Sequence, residues 1–240
     1  MDSVLVEGVH LPAQEHHLRH WMVASKGRHV KDGKITYQWK KQKAAMKYAM
    51  TYIENCKDKC FVDVGAHVGL WSMQWQERMA SVVAFEPIPQ MREIYWKNVQ
   101  PNYVKMVECA LGDETKELIL HFNPHNTGNT HAMKAGEETP NPIKAKMCRL
   151  DDILPEALAQ DGKPMGVLKI DCEGFEQKII EGGLKVINEY KPLIIVEQKK
   201  GTDYYGFDPE GAANLLKEHG YQTLKIMSGD HIMVHKDCLK

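Results

Sequence analysis

Cys60-Phe61-Val62-Asp63-Val64-Gly65-Ala66-His67-Val68-Gly69 is the stretch on which the reading of this chain turns. Phe61, Val62 and Val64 form the short β-branched and aromatic run of a buried strand. Asp63 stands at its end, residues 65–69 turn, and an apolar helix is expected from near Leu70. Strand, glycine turn and helix start together make a cradle for a nucleotide-like cofactor. Glycine lets the backbone approach a ligand closely, and a helix N-terminus presents unpaired N–H groups. The glycines are spaced GxxxG, without the GxGxxG that a dinucleotide pyrophosphate requires, so an NAD-type site is the competing class and lacks its fingerprint. A second strand, Ser81 to Phe85, runs into Glu86-Pro87. Glu86 lies 21 positions after Gly65 (86 − 65), where a doubly wound sheet places the carboxylate that holds ribose hydroxyls.

Outward from this centre, the chain alternates strands with helices. Strands are expected at 61–64, 82–85, 104–110, 167–170 and 193–196, and helices at 70–78, 90–99, 175–188 and 209–219. Such alternation implies a mostly parallel sheet with helices on both faces. The end differs: Tyr221–Met227 and His231–His235 flank Ser228-Gly229-Asp230 and read as a hairpin, which makes the final strand antiparallel. Between the third and fourth strands lies an excursion, residues 112–165. Its flanks, 117–122 and 143–150, have strand character, and residues 123–142 are rich in Asn, Gly, Thr, His and Pro. A connection this long fits an active-site loop. Leu150-Asp151-Asp152 then opens a short helix with an Asp at its cap.

The first 57 residues show no alternating strand pattern and are expected to form a helical extension, with helices at 14–24 and 40–53, in front of a domain spanning 58–240. Lys34, Lys40, Lys41, Lys43 and Lys47 make the extension locally basic, as a solvated helix face or as a lip that steers an anionic substrate. The chain of 240 residues carries a net charge of −1, so no global field recruits nucleic acid or a membrane surface. No apolar run approaches ~20 residues. Its six cysteines form no zinc-ribbon spacing and read as reduced thiols in a cytoplasmic protein. His10, His16, His17 and His20 lack the acid or cysteine partners that would complete a metal site.

Five motifs in register, DVGAHVG, FEP, CALGD, RLDDIL and LKIDCEGFEQKIIEGG, resemble the FkbM-type methyltransferase family over residues 60–198. The resemblance implies a class I methyltransferase fold, Rossmann-like with seven strands and an antiparallel C-terminal hairpin, and S-adenosylmethionine as methyl donor. It further implies methyl transfer to a hydroxyl of a sugar, polyketide or other small molecule. His67 replaces the family's usual Asn and Trp71 its common Tyr. On this resemblance Asp63, Gly65, His67 and Gly69 hold the methionine part of the donor, Glu86 its ribose, and Ala110-Leu111 its adenine.

The second centre is Lys169-Ile170-Asp171-Cys172-Glu173-Gly174-Phe175-Glu176, at a strand end where α/β sheets bind ligands. If the strand stays extended, period-2 alternation puts Asp171 and Glu173 on one face. A hydroxyl is a poor nucleophile at neutral pH and needs a base or a metal. Glu173 is the candidate base, Asp171 lies near the donor ammonium or the acceptor, and Lys169 pairs with either acid. Asp171, Glu173 and Glu197 are also the oxygen-rich set that would bind Mg²⁺. Glu197 reads equally as a surface acid, and Glu176 as a residue that favours a helix N-terminus through its dipole. His121, His125 and His131, in the excursion, are alternative bases or parts of a polar lid. The runner-up function is ribose 2′-hydroxyl transfer to nucleic acid, using Lys169, Asp171 and Glu197 with the basic N-terminal segment and Lys199-Lys200. Base-amine transfer lacks its Pro-Pro-aromatic signature, because CEGF stands after the fourth strand. A third reading, a cofactor-binding module without chemistry, sits poorly with Asp171 and Glu173.

Overall fold

The computed structural model describes residues 1–6, 8–24, 30–31, 34–35, 40–198, 201–227 and 229–239. The chain starts with the hairpin β1 (Ser3–Val6) and β2 (Val9–Pro12), then α1 (His17–Ala24), the two-residue strands β3 (Val30–Lys31) and β4 (Lys34–Ile35), and α2 (Lys40–Tyr52). Alternation begins at β5 (Cys60–Val64), followed by α3 (Ser72–Trp75), β6 (Ser81–Phe85), α4 (Pro89–Asn98) and β7 (Val104–Val107). The excursion contributes β8 (Ala110–Gly112), β9 (Lys116–His121), β10 (His131–Ala132) and β11 (Pro142–Arg149). After it come α5 (Leu150–Ala159), β12 (Met165–Ile170), α6 (Glu176–Glu181), α7 (Leu184–Tyr190), β13 (Leu193–Glu197), α8 (Gly201–Tyr205), α9 (Gly211–Glu218), β14 (Tyr221–Met227) and β15 (Asp230–His235).

Seven strands form one sheet in the order β14-β15-β13-β12-β5-β6-β7. The five strands from β13 to β7 are parallel, and β15 runs antiparallel to both of its neighbours. The expected fold class and its antiparallel end are both present. Ser228, in the expected hairpin turn, lies outside the described residues.

The sheet's two faces follow from side-chain alternation. Val62 and Val64 of β5, Val83 and Phe85 of β6, Leu168 and Ile170 of β12, and Ile194 and Val196 of β13 pack into one core with α5, α6, α7 and α9. Phe61, Val82, Ala84, Val167, Leu193 and Ile195 face the other way, against Ala45, Met46 and Ala49 of α2 and against Trp71 and Trp75. Trp71, in place of the family's common Tyr, is part of that core.

Several elements depart from the sequence expectations. The first 57 residues are not purely helical: β1 and β2 pair antiparallel, and at four residues each they carry too few alternations to be read. Their Val6, Val9 and Leu11 share a third core with Met22, Val68, Ile88, Met91, Ile94, Leu120 and Phe122. The expected strand over 104–110 divides at Glu108-Cys109. Its first part joins the main sheet, and its second joins a four-stranded sheet ordered β10-β9-β11-β8. The expected helix over 175–188 breaks at Gly182-Gly183, where the chain passes so close to Gly112 that a Cβ at Gly182 would stand 1.9 Å from its carbonyl oxygen. Asp151 does not cap its own helix, whose N-cap is Arg149. Its carboxylate instead accepts the Lys185 and Val186 N–H groups at the start of α7.

Candidate active site

Beyond the C-terminal ends of β5, β6 and β12, and under the excursion, lies an open cavity of about 940 Å³ including its solvent mouth. This is where a parallel sheet of this kind takes ligands. One wall comes from the ends of β5 and β6, through Gly65, His67 and Glu86, and from β8, through Ala110 and Leu111, while Asp171, Cys172 and Glu173 close its side. The opposite wall comes from the excursion, through Leu120, Thr127, Thr130, His131 and Ala132.

The glycine turn is shaped by contact as well as by ligand space. Gly65 has φ +73°, and a Cβ there would stand 2.1 Å from the Asp171 carbonyl oxygen, so only glycine lets the turn meet the end of β12. The Gly65 and Ala66 N–H groups both donate to the Phe85 carbonyl, at 3.1 and 3.0 Å. Gly69, also at positive φ, packs against Tyr95 of α4 and Val99 just past its end, and is not on the cavity wall. His67 has φ 53°, a left-handed conformation in which Asn, Asp and His are enriched, so the exchange for the family's Asn keeps the backbone.

Glu86 is buried, 5% exposed, with its carboxylate held at both ends. One oxygen accepts the His67 N–H at 2.8 Å, and the other accepts the Ile88 N–H at 2.8 Å. Burial pushes its pKa up to about 7, with the two N–H donors and the Lys169 and Arg92 charges pulling the other way. A carboxylate has about four lone-pair sites, so two bound N–H groups leave acceptor capacity on the side lining the cavity. The residues therefore fit a ribose diol. Ala110 and Leu111, with apolar Phe85, Ile88 and Met91 nearby, fit a flat base.

Asp63 and Lys169 occupy a different place from the one the motif implies. They are directly paired positions on β5 and β12, so both side chains point to the same face, beneath the cavity floor. The Lys169 ammonium stands 3.2 Å from the Asp63 carboxylate and donates to the Val64 and Gly65 carbonyls at 2.9 and 2.8 Å. Ser72 donates to the other Asp63 oxygen at 2.7 Å. Burial would lower the Lys169 pKa, but the Asp63 and Asp171 carboxylates outweigh it and the net shift is upward. Neither side chain is on the cavity wall, and the pair ties the glycine turn to β12.

The expected extension of β12 through Glu173 does not occur. The strand ends at Ile170, and Glu173 and Gly174 take φ 52° and 101° in a tight turn. Glu176 fixes this turn: its buried carboxylate accepts the Cys172 and Gly174 N–H groups at 2.7 and 3.2 Å, and burial raises its pKa to about 7. Although alternation fails, the turn brings Asp171 and Glu173 together with Glu197 from the end of β13. One carboxylate oxygen of each lies within 4.8 Å of the others. Such an all-oxygen set suits a hard divalent cation.

Of the three excursion histidines, only His131 lines the cavity. His121 bonds Thr139 at 2.5 Å behind it, and His125 bonds the Gln14 carbonyl at 3.2 Å. His16 stacks on His125, and His17 and His20 are exposed, so no histidine metal cluster exists among the described residues. Lys43 and Lys47 are exposed and off the cavity wall. The side chains of Lys34, Lys40 and Lys41, and all of Lys199 and Lys200, lie outside the described residues. No described helix is long and apolar enough to cross a membrane.

Two site residues have no counterpart among the sequence candidates. Glu15, fully buried, accepts the Thr127 N–H at 2.6 Å and the Thr127 hydroxyl at 2.5 Å. Thr127 in turn stands 2.8 Å from Nε2 of His67. The N-terminal segment thus reaches the cavity wall through Thr127 as well as through the core it shares with Leu120. No local pattern marks Glu15, since its partner is 112 residues away.

Residues 63–223 match the family model described as the methyltransferase FkbM domain. Among solved structures, the chain is similar to the methyltransferase FkbM of Methylobacillus flagellatus KT, at 14% identity and TM-score 0.46 over 75% of this chain and 44% of that one. It therefore spans less than half of that protein. It is also similar to cofactor-bound Rv0187 from MTB, at 12% identity and TM-score 0.47 over 90% and 94% of the two chains. A third likeness is precorrin-6y C5,15-methyltransferase from Geobacter metallireducens GS-15, at 14% identity and TM-score 0.43 over 88% and 93%. No curated protein matches the sequence.

Proposed function

This chain belongs to the FkbM methyltransferase family and is an S-adenosylmethionine-dependent methyltransferase, and from that premise we propose that it methylates a hydroxyl of a small molecule or glycan. The observation that carries this reading is the sharing of one cavity: Glu86 and the glycine turn stand on one side, and Asp171 and Glu173 on another. A hydroxyl needs a proton acceptor at the moment of attack, and the second group provides it. S-adenosylmethionine, when bound, supplies an electrophilic methyl group on a sulfonium.

The residues of this chain have distinct roles in the reading. Glu86 accepts the ribose hydroxyls, and the Ala110-Leu111 backbone borders the base. Glu173 takes the acceptor's proton as the new C–O bond forms and the S–C bond breaks, and Asp171 orients the acceptor beside it. Lys169 and Asp63 hold the glycine turn in register with β12, which is positioning. The set of Asp171, Glu173 and Glu197 would hold a divalent cation such as Mg²⁺, which would favour the alkoxide form of the acceptor.

The experiment is a product assay over hydroxylated small molecules and oligosaccharides, with mass-spectrometric location of the added methyl group. Glu173→Gln should leave S-adenosylhomocysteine binding unchanged and lower turnover by roughly 10²-fold or more. A methyl group found on nitrogen or carbon, or unchanged turnover in the variant, overturns the assignment. Full activity in EDTA removes the cation from it.

A further inference from the structure

We propose that Glu15 and Thr127 are positioning residues that turn His67 into a hydrogen-bond acceptor for the ammonium group at the methionine end of the donor. The inference rests on the reading of this cavity as the donor site, and deepens it.

The polarity of the chain follows from counting protons. Glu15 faces three donors: its Oε1 takes the Leu18 N–H at 2.8 Å, and its Oε2 takes both the N–H and the hydroxyl of Thr127. A carboxylate only accepts, so the one Thr127 hydroxyl proton is committed to Glu15. The bond of 2.8 Å between Thr127 Oγ1 and His67 Nε2 must then be donated by the imidazole. His67 is fixed as the Nε2–H tautomer, and its lone pair stands on Nδ1. Burial lowers the His67 pKa to about 4, so the ring is neutral at physiological pH and keeps that lone pair.

The ring lines the cavity and is half-buried, so its free acceptor belongs to the ligand side. The His67 N–H is bonded to Glu86, which places the ring next to the ribose position and hence at the amino-acid end of the donor. A ring presenting a lone pair suits a cation there, and an imidazole N–H would not. The family's usual Asn at this position offers both a donor and an acceptor. His67 offers one polarity, and the residue that selects it arrives from the N-terminal segment.

Thr127→Val keeps the shape and removes the hydroxyl, whereas Thr127→Ser restores it. Calorimetry compares S-adenosylhomocysteine with 5′-methylthioadenosine, which lacks the amino-acid end. The valine variant should bind S-adenosylhomocysteine about tenfold more weakly, the effect of losing one well-made hydrogen bond to a charged group. Its affinity for methylthioadenosine should stay within about twofold, and serine should rescue the loss. Nitrogen NMR of the wild type should show the proton on Nε2 of His67 and none on Nδ1. Equal losses for both ligands, which a merely structural role produces, overturn the proposal, as do no loss for either and a proton found on Nδ1. If the wild type binds neither ligand, the donor reading itself falls. If it binds both and the variants do not discriminate, only this inference falls.

Discussion

The two walls of the cavity are built in opposite ways. The strand-end wall draws on β5, β6 and β12, three adjacent strands, and its key residues stand in short motifs. The facing wall draws on Leu120, His131 and Ala132 of β9 and β10, and on Thr127, which Glu15 holds from 112 positions away. The first wall is held by strand register, one buried ion pair and the Glu176 carboxylate, whereas Thr127 of the second is held by the side chain of Glu15. The difference teaches that a sheet fixes its ligand groups by register, which is local in sequence, whereas a loop fixes them only by meeting a distant partner.

Four measurements break or sharpen this contrast. The largest effect is expected on the strand side from Gly65→Ala, since the new Cβ would collide with the Asp171 carbonyl in a backbone of positive φ. We expect a loss of about 4 kcal/mol or more, at the severe end for a point change. Guanidinium melts check it, and a variant as stable as wild type would show that the turn is not braced by β12. Lys169→Met should cost about 3–5 kcal/mol, because it leaves Asp63 buried without its cation. Adding Asp63→Asn should recover part of that loss in a double-mutant cycle, and strict additivity would deny the pair.

Glu86 gives an effect of intermediate size with a definite sign. Its folded pKa is about 7 against an ordinary value near 4.5, so between those values the folded protein holds a proton that the unfolded chain has lost. Stability from this group is present below pH 4.5 and falls as pH rises to about 7, by roughly 3 kcal/mol. Glu176 acts in the same window and with the same sign. Ribose hydroxyls donate to the ionised form, so S-adenosylhomocysteine affinity should rise through about pH 7, with proton release on binding. Glu86→Gln should abolish that dependence and weaken binding by tenfold or more, as judged by calorimetry in buffers of different ionisation enthalpy. The smallest effect is expected from Lys43→Ala with Lys47→Ala, both exposed and off the cavity: within about 0.5 kcal/mol in stability and unchanged in donor affinity.

The strand wall was legible because each of its parts has a local cause. Phe61 to Val64 reads as a strand, Gly65 as a turn, and Glu86 falls at the spacing a ribose carboxylate takes. The roles of Asp63 and Lys169 were less legible: the sequence shows two charged residues near strand ends, but only the pairing of Asp63 with Lys169 turns them toward each other beneath the floor. The sequence pairs Asp171 and Glu173 only on the premise of an extended strand. The structure instead gathers them with Glu197 through a left-handed residue at 173, a conformation no alternation rule anticipates. Glu15 and Thr127 could not be read at all, since an isolated Glu beside two histidines has the appearance of surface. The hairpin at residues 3–12 escaped for a plainer reason, as four residues per strand give alternation no length in which to show.

The Glu15–Thr127–His67 chain has a bearing on transplantation. Its three members come from the N-terminal segment, the excursion and the glycine turn, and each saturates the next. A chimera that imports only one of those segments from a relative would strand a carboxylate or a ring nitrogen out of water. Grafts meant to give this scaffold a new acceptor therefore have to carry all three together, or replace the trio with apolar residues that fit one another.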